Sequence, residues 1–190
     1  MYIRLCFWFL IVGAISMIAM SLHYLTNEVS GILEMKKIKE YAWFRFSFKM
    51  HVLFGLLAIS FGAIQLWLDF RLKLRGLRHK RLGYLYMTSV GLSSIAGIVV
   101  APFAMGGLWP KVGFFVLGLL WFSSAFMGLR TILKGLVASH RKWMLFNYGL
   151  TFAAITQRTF LLVPLLTTVP FMPVYRISAW LPWMINTAIV

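Results

Sequence analysis

The 190-residue chain has one cysteine and only four acidic residues, Glu28, Glu34, Glu40 and Asp69. A lone Cys6 excludes an internal disulfide and any cysteine-based zinc or iron–sulfur site. Charged residues make up 12% of the chain, about half the share of a soluble domain, whereas 61% of the residues are hydrophobic. So little charge cannot clothe a water-facing surface, and the mean hydropathy of +0.84 makes lipid the expected solvent. No carboxylate pair stands near a histidine, no glycine loop cradles a phosphate, and no HExxH metal motif occurs, so the usual signatures of soluble catalysis are missing. What is abundant is base: 19 Lys and Arg give a formal charge of +15. In a soluble chain that excess would suggest nucleic acid; here basic loops that orient a membrane protein account for it, and no nucleic-acid partner is expected.

A bilayer core of about 30 Å needs roughly 20 apolar residues per helix. Five such runs lie at 5–25, 46–69, 83–104, 112–132 and 143–165, and a shorter one at 178–190 is expected as a short sixth helix. The fold class is therefore all-α: a compact bundle of five to six transmembrane helices forming one domain over 1–190. The first run is longer than a signal-peptide core, so it is read as a retained helix. Arg71, Lys73, Arg75, Arg78, Lys80 and Arg81 crowd the loop between the second and third runs. Arg130, Lys134, Arg141 and Lys142 lie between the fourth and fifth. The positive-inside rule places both loops, and the amino terminus with Arg4, in the cytoplasm. The loop at 26–45, with Lys36, Lys37 and Lys39 beside three glutamates, then lies outside. Tyr41, Trp109, Trp180 and Trp183 fall where an aromatic interface belt would sit, and His23 is expected at the outer interface.

Polar residues inside lipid-spanning helices cost free energy, so they mark positions with a task. On the second helix His51, Gly55, Ala58, Gly62 and Gln65 share one face. His79, Gly83, Tyr86, Val90 and Gly97 align on the third, and His140, Asn147, Thr151, Ala154 and Arg158 on the fifth. Small residues at four-residue spacing, such as Ser93, Gly97 and Ala101, also suit plain helix packing, as Thr151 and Asn147 suit interhelical hydrogen bonds. Arg158 is different: a guanidinium stays charged, and Asp69 is the one acidic residue in any span, so a ligand is expected to supply its counter-charge. Imidazoles near both membrane faces, among glycines that leave room for a flat ring, point to haem b or a quinone. His79 and His140, each opening a span after a basic loop, are the expected metal ligands, and His51 with Arg158 an alternative pair. The segments RHKRLGYLYM and SHRKWMLFNYG echo one another, as a duplicated helical hairpin would.

Four stretches carry a resemblance: HVLFGLLAISFGAIQ at 51–65, HKRLGYLY at 79–86, HRKWMLFNYGLTFAAITQR at 140–158 and, more weakly, WLPWMIN at 180–186. Together they make the chain resemble a family of small polytopic bacterial membrane proteins known as a domain of unknown function, DUF2306. The family pattern favours Arg after the second histidine, where Lys80 stands, an Arg near Asn147, and an acidic residue beyond WxxWxxN that is not among residues 187–190. The resemblance implies a bacterial inner-membrane location, a fold like haem-bearing helical bundles, and a shared constellation of His51, Gln65, His79, His140 and Arg158. The expected function is electron transfer within the membrane through haem b or a quinone. An anion or small-solute carrier built on Arg158 stands beside it, as does an accessory or assembly subunit that docks in a larger membrane complex or a homo-oligomer.

Overall fold

The computed structural model describes the backbone of residues 2–25, 41–72 and 76–189, and side chains there except at 2–7, 9, 10, 23 and 70–72. Arg4, His23, Lys36, Lys37, Lys39, Arg71, Lys73 and Arg75, on which part of the charge asymmetry rests, lie outside the described side chains. Every regular element described is helical. Five long helices come first: α1 (Tyr2–Ser21), α2 (Ala42–Leu72), α3 (Leu77–Val100), α4 (Leu108–Leu133) and α5 (Val137–Leu161). Three short ones follow: α6 (Val163–Leu166), α7 (Phe171–Ser178) and α8 (Leu181–Ala188). Among the described residues four stretches are long and apolar enough to cross a membrane: Ala42–Asp69, Leu77–Phe103, Leu108–Leu133 and Val137–Leu166.

The five long helices begin three to six residues earlier than the apolar runs, because hydropathy marks only the part immersed in hydrocarbon while the backbone bonds continue into the interface. His79 and His140 are consequently not loop residues, as their basic neighbours suggested; they sit in the first turns of α3 and α5. Proline and glycine punctuate the rest. Pro102 turns the end of α3 into a 3₁₀ turn, Ala101–Phe103, and Gly106 and Gly107 link it to α4 at φ of 84° and 90°. The expected short sixth helix at 178–190 is α8, and a further eight-residue helix, α7, precedes it, the two parted at Ala179 and Trp180. Eight residues rise only about 12 Å, so neither crosses a bilayer.

The chain divides into two compact units, Met1–Ser93 and Ser94–Val190. In the first, α1 packs on α2, where Phe44 is buried, and Tyr24 in the 3₁₀ turn after α1 (Leu22–Leu25) meets Phe48 edge-on at 5.6 Å. In the second, α4 and α5 form a hairpin, and α7 and α8 pack against it. Trp180 donates its indole N–H to the Trp109 carbonyl (3.1 Å), and Arg176 donates to the Gly106 carbonyl (2.8 Å). Two glycines let α8 approach. A Cβ on Gly113 would lie 2.8 Å from the Ala179 carbonyl, and one on Gly149 would lie 3.1 Å from the Asn186 carbonyl. Gly149 is midway along α5, so α8 starts near the level of the α4 amino terminus and reaches the middle of the span.

Candidate functional site

His51 Nδ1 lies 2.9 Å from the Ser93 carbonyl, which can only accept, so Nδ1 carries the proton. Ser93 answers by donating its hydroxyl to the His51 carbonyl at 2.8 Å. This reciprocal clamp ties α2 to α3 at the α3 end remote from its first turn. Gly55, one turn along, keeps the contact close, since a Cβ there would be 3.3 Å from Ser93 Oγ.

Gln65 and His79 are brought together at the other end of α2, and with them comes a residue outside the expected constellation. His79 Nδ1 donates to Asp69 Oδ1 at 3.0 Å, an ion pair when the ring is protonated. The Gln65 amide nitrogen lies along the ring edge, 3.3 Å from Nδ1 and 3.4 Å from Nε2. With Nδ1 already donating to Asp69, the amide N–H is left to face Nε2. The group is partly open to its surroundings, with His79 and Asp69 side chains 33% and 43% exposed. Asp69 lies one helical turn after Gln65 and extends the stripe that runs from His51, a sign present in the sequence.

His140 repeats the arrangement in the second unit. Its Nδ1 donates to the Gly128 carbonyl on α4 at 2.7 Å, and Thr131 Oγ1 donates to the same oxygen at 2.9 Å. The His140 ring is half-buried. Seven residues further along α5, Asn147 is wholly buried and donates to the Trp121 carbonyl and to Ser124 Oγ, both at 2.8 Å. Trp121 in turn donates its indole N–H to Thr151 Oγ1 at 2.8 Å. In a medium without water these bonds hold the hairpin in register.

Arg158 stands in the last turn of α5, at the opposite end from His140, some 27 Å along the axis by rise per residue. Its Nη1 donates to the Ala154 carbonyl at 3.2 Å. A cation at a helix carboxyl terminus meets the negative end of the macrodipole, so the guanidinium has a local anchor without an anionic ligand. Of the five expected residues, Gln65 and His79 are brought together, with Asp69, in the first unit; His51 there bonds Ser93, and in the second unit His140 bonds the Gly128 carbonyl and Arg158 the Ala154 carbonyl. Among the described residues no three His, Cys, Asp or Glu side chains gather as a metal cage would require.

One chemical pattern runs through all three histidines. Each donates Nδ1–H to an oxygen on the partner helix of its hairpin, so that in the neutral ring Nε2 is the lone-pair nitrogen. Metal-bound histidines are oriented in this way, with the distal N–H given to a carboxylate or backbone carbonyl. A family model described as "Predicted membrane protein (DUF2306)" matches residues 48–190. No curated protein and no solved structure matches the chain.

Proposed function

Because the chain belongs to the DUF2306 family of membrane proteins, a name that carries no reaction, we propose from the side chains alone that it is a membrane electron carrier binding haem b through histidine. The observation that supports this reading is the uniform pinning of Nδ1 in His51, His79 and His140. An imidazole so held has a fixed tautomer and a basic Nε2, the state in which it ligates haem iron. His140 suits the role best: its Nδ1 bond is short and neutral, and no other polar contact involves its ring among the described residues. His79 becomes a ligand once the Gln65 amide turns away from Nε2. Bound haem would supply one-electron chemistry.

A quinone is the second reading, and the Gln65–His79–Asp69 group favours it. An amide N–H and an imidazole backed by a carboxylate can donate to a quinone oxygen and take up a proton at the membrane surface. The carrier reading has less to support it, since the Ala154 carbonyl and the helix terminus already give Arg158 a local anchor. The deciding measurement is the spectrum of protein purified from haem-replete cells, before and after reduction. A Soret band that shifts on reduction, and that is lost in His140→Ala while helicity persists, supports haem ligation. Colourless wild-type protein would overturn it and favour an accessory subunit of a larger membrane complex.

A further inference from the structure

The second unit contains no carboxylate side chain, since all four acidic residues lie before Ser94. Four of its cations collect at the α4–α5 turn: Arg130 and Lys134 one turn apart at the end of α4, and Arg141 and Lys142 in the opening turns of α5. All four are exposed, and their side chains make no hydrogen bond or ion pair with the described residues. Their counter-charge must therefore come from outside the unit.

The turn that presents them is rigid. The Leu136 N–H bonds the Thr131 carbonyl and the Gly135 N–H bonds the Ile132 carbonyl, both at 3.0 Å, with Gly135 at φ 72°. This paired closure of a helix end leaves little freedom in the loop. It also holds three apolar side chains outward among the cations: Leu133, Leu136 and Val137 are 72%, 52% and 64% exposed. Free phosphate would have no use for an apolar tip. A phospholipid would, because its charged and greasy parts are joined in one molecule and lie at this depth. Helix α4, 26 residues or about 39 Å long, outreaches a hydrocarbon core of about 30 Å and so carries the turn into the headgroup layer.

We propose that the α4–α5 turn is a binding site for an anionic phospholipid, its phosphate held by Arg130, Lys134, Arg141 and Lys142 and its acyl chains against Leu133, Leu136 and Val137. The inference rests on the placement of the spans in a bilayer and is independent of any haem.

The test is native mass spectrometry of the full chain in neutral detergent, titrated with phosphatidylglycerol or phosphatidylcholine. Phosphatidylglycerol should be retained in preference, with an affinity that falls as salt rises. The variant R130Q/K134Q/R141Q/K142Q should lose about tenfold in that affinity, while K111Q, at the opposite end of α4 from the turn, stays within about twofold. Should the fourfold variant fail to fold, as judged by circular dichroism, R141Q/K142Q carries the same comparison. L133S/L136S should also weaken lipid retention. Equal retention of the two lipids, or unchanged binding by the neutralised variants, overturns the proposal. Displacement by inorganic phosphate at matched ionic strength, with L133S/L136S behaving as wild type, assigns the turn to free phosphate and overturns the lipid reading.

Discussion

At the scale of single residues, the buried polar bonds of the α4–α5 hairpin allow the sharpest expectations. Asn147 serves two acceptors on α4, and neither finds water if it is removed. Interhelical bonds in lipid are worth about 0.6 kcal/mol on average and up to about 2 kcal/mol, so Asn147→Ala should cost about 1–2 kcal/mol. The check is the unfolding midpoint in mixed micelles; an unchanged midpoint would show that the bonds are replaced in the variant. Two glycines make a paired comparison. A Cβ on Gly113 meets the Ala179 carbonyl, which is backbone, as well as the Trp180 ring, whereas one on Gly128 meets only Met144 Sδ at 2.6 Å, the end of a flexible side chain. Gly113→Ala should thus loosen α8 and raise the mobility of a spin label on Thr187→Cys, in a Cys6→Ser background, whereas Gly128→Ala leaves it unchanged. The pairing of Gln65 with His79 was legible as two polar stripes on successive helices. Asp69 was less legible, although it lies on the same stripe, because a carboxylate at a span end looks like an interfacial residue until the next helix folds back on it. The bond from Arg158 to the Ala154 carbonyl was not legible, because a backbone acceptor leaves no trace in side-chain identity.

At the scale of elements, the echo between the two histidine segments corresponds to a real similarity of hairpins. His79 and His140 each open the second helix of a pair and bond an acceptor near the end of the first, Asp69 on α2 and Gly128 on α4. The register continues inward: Tyr86, Ser89 and Val90 are buried on α3, and at the same distances from the histidine so are Asn147, Leu150 and Thr151 on α5. The internal match was short in sequence because lipid-facing positions drift freely among apolar residues, leaving only the buried register as a trace. The long helices and the short α8 were legible from apolar length, but α7 was not. Pro170 and Pro173 stand before and within α7, and a segment so short and so interrupted by proline does not read as an apolar run. The turn geometry adds a prediction. Gly135 has φ 72°, which a Cβ disfavours, and a Cβ there would meet nothing within 4 Å, so the penalty is conformational alone. Gly135→Ala should destabilise by about 1 kcal/mol, read as the same unfolding midpoint, while Gly91→Ala, in a regular helix and equally open space, should be neutral or slightly stabilising.

At the scale of the whole molecule, the charge distribution predicts a direction of insertion that no internal contact determines. Six bases between Arg71 and Arg81, and four more from Arg130 to Lys142, flank short turns, whereas the α3–α4 connection carries only Lys111 at its far edge. The membrane potential and the insertion machinery both oppose carrying such turns outward, so each basic turn is predicted cytoplasmic by its own charge. Cys6 makes the test direct, because Cys6→Ser yields a chain without other thiols. In that background Trp109→Cys, at the exposed start of α4, should react in intact cells with a membrane-impermeant maleimide. Lys134→Cys should react only after the membrane is opened. The reverse pattern would mean that the segment 26–40, with its glutamates and lysines, outweighs the turns. It would also move His79, Asp69 and His140 to the outer face, so that any electron or proton exchanged there would come from outside the cell. The orientation therefore decides which side of the membrane the proposed chemistry serves, and it can be measured before any cofactor is found.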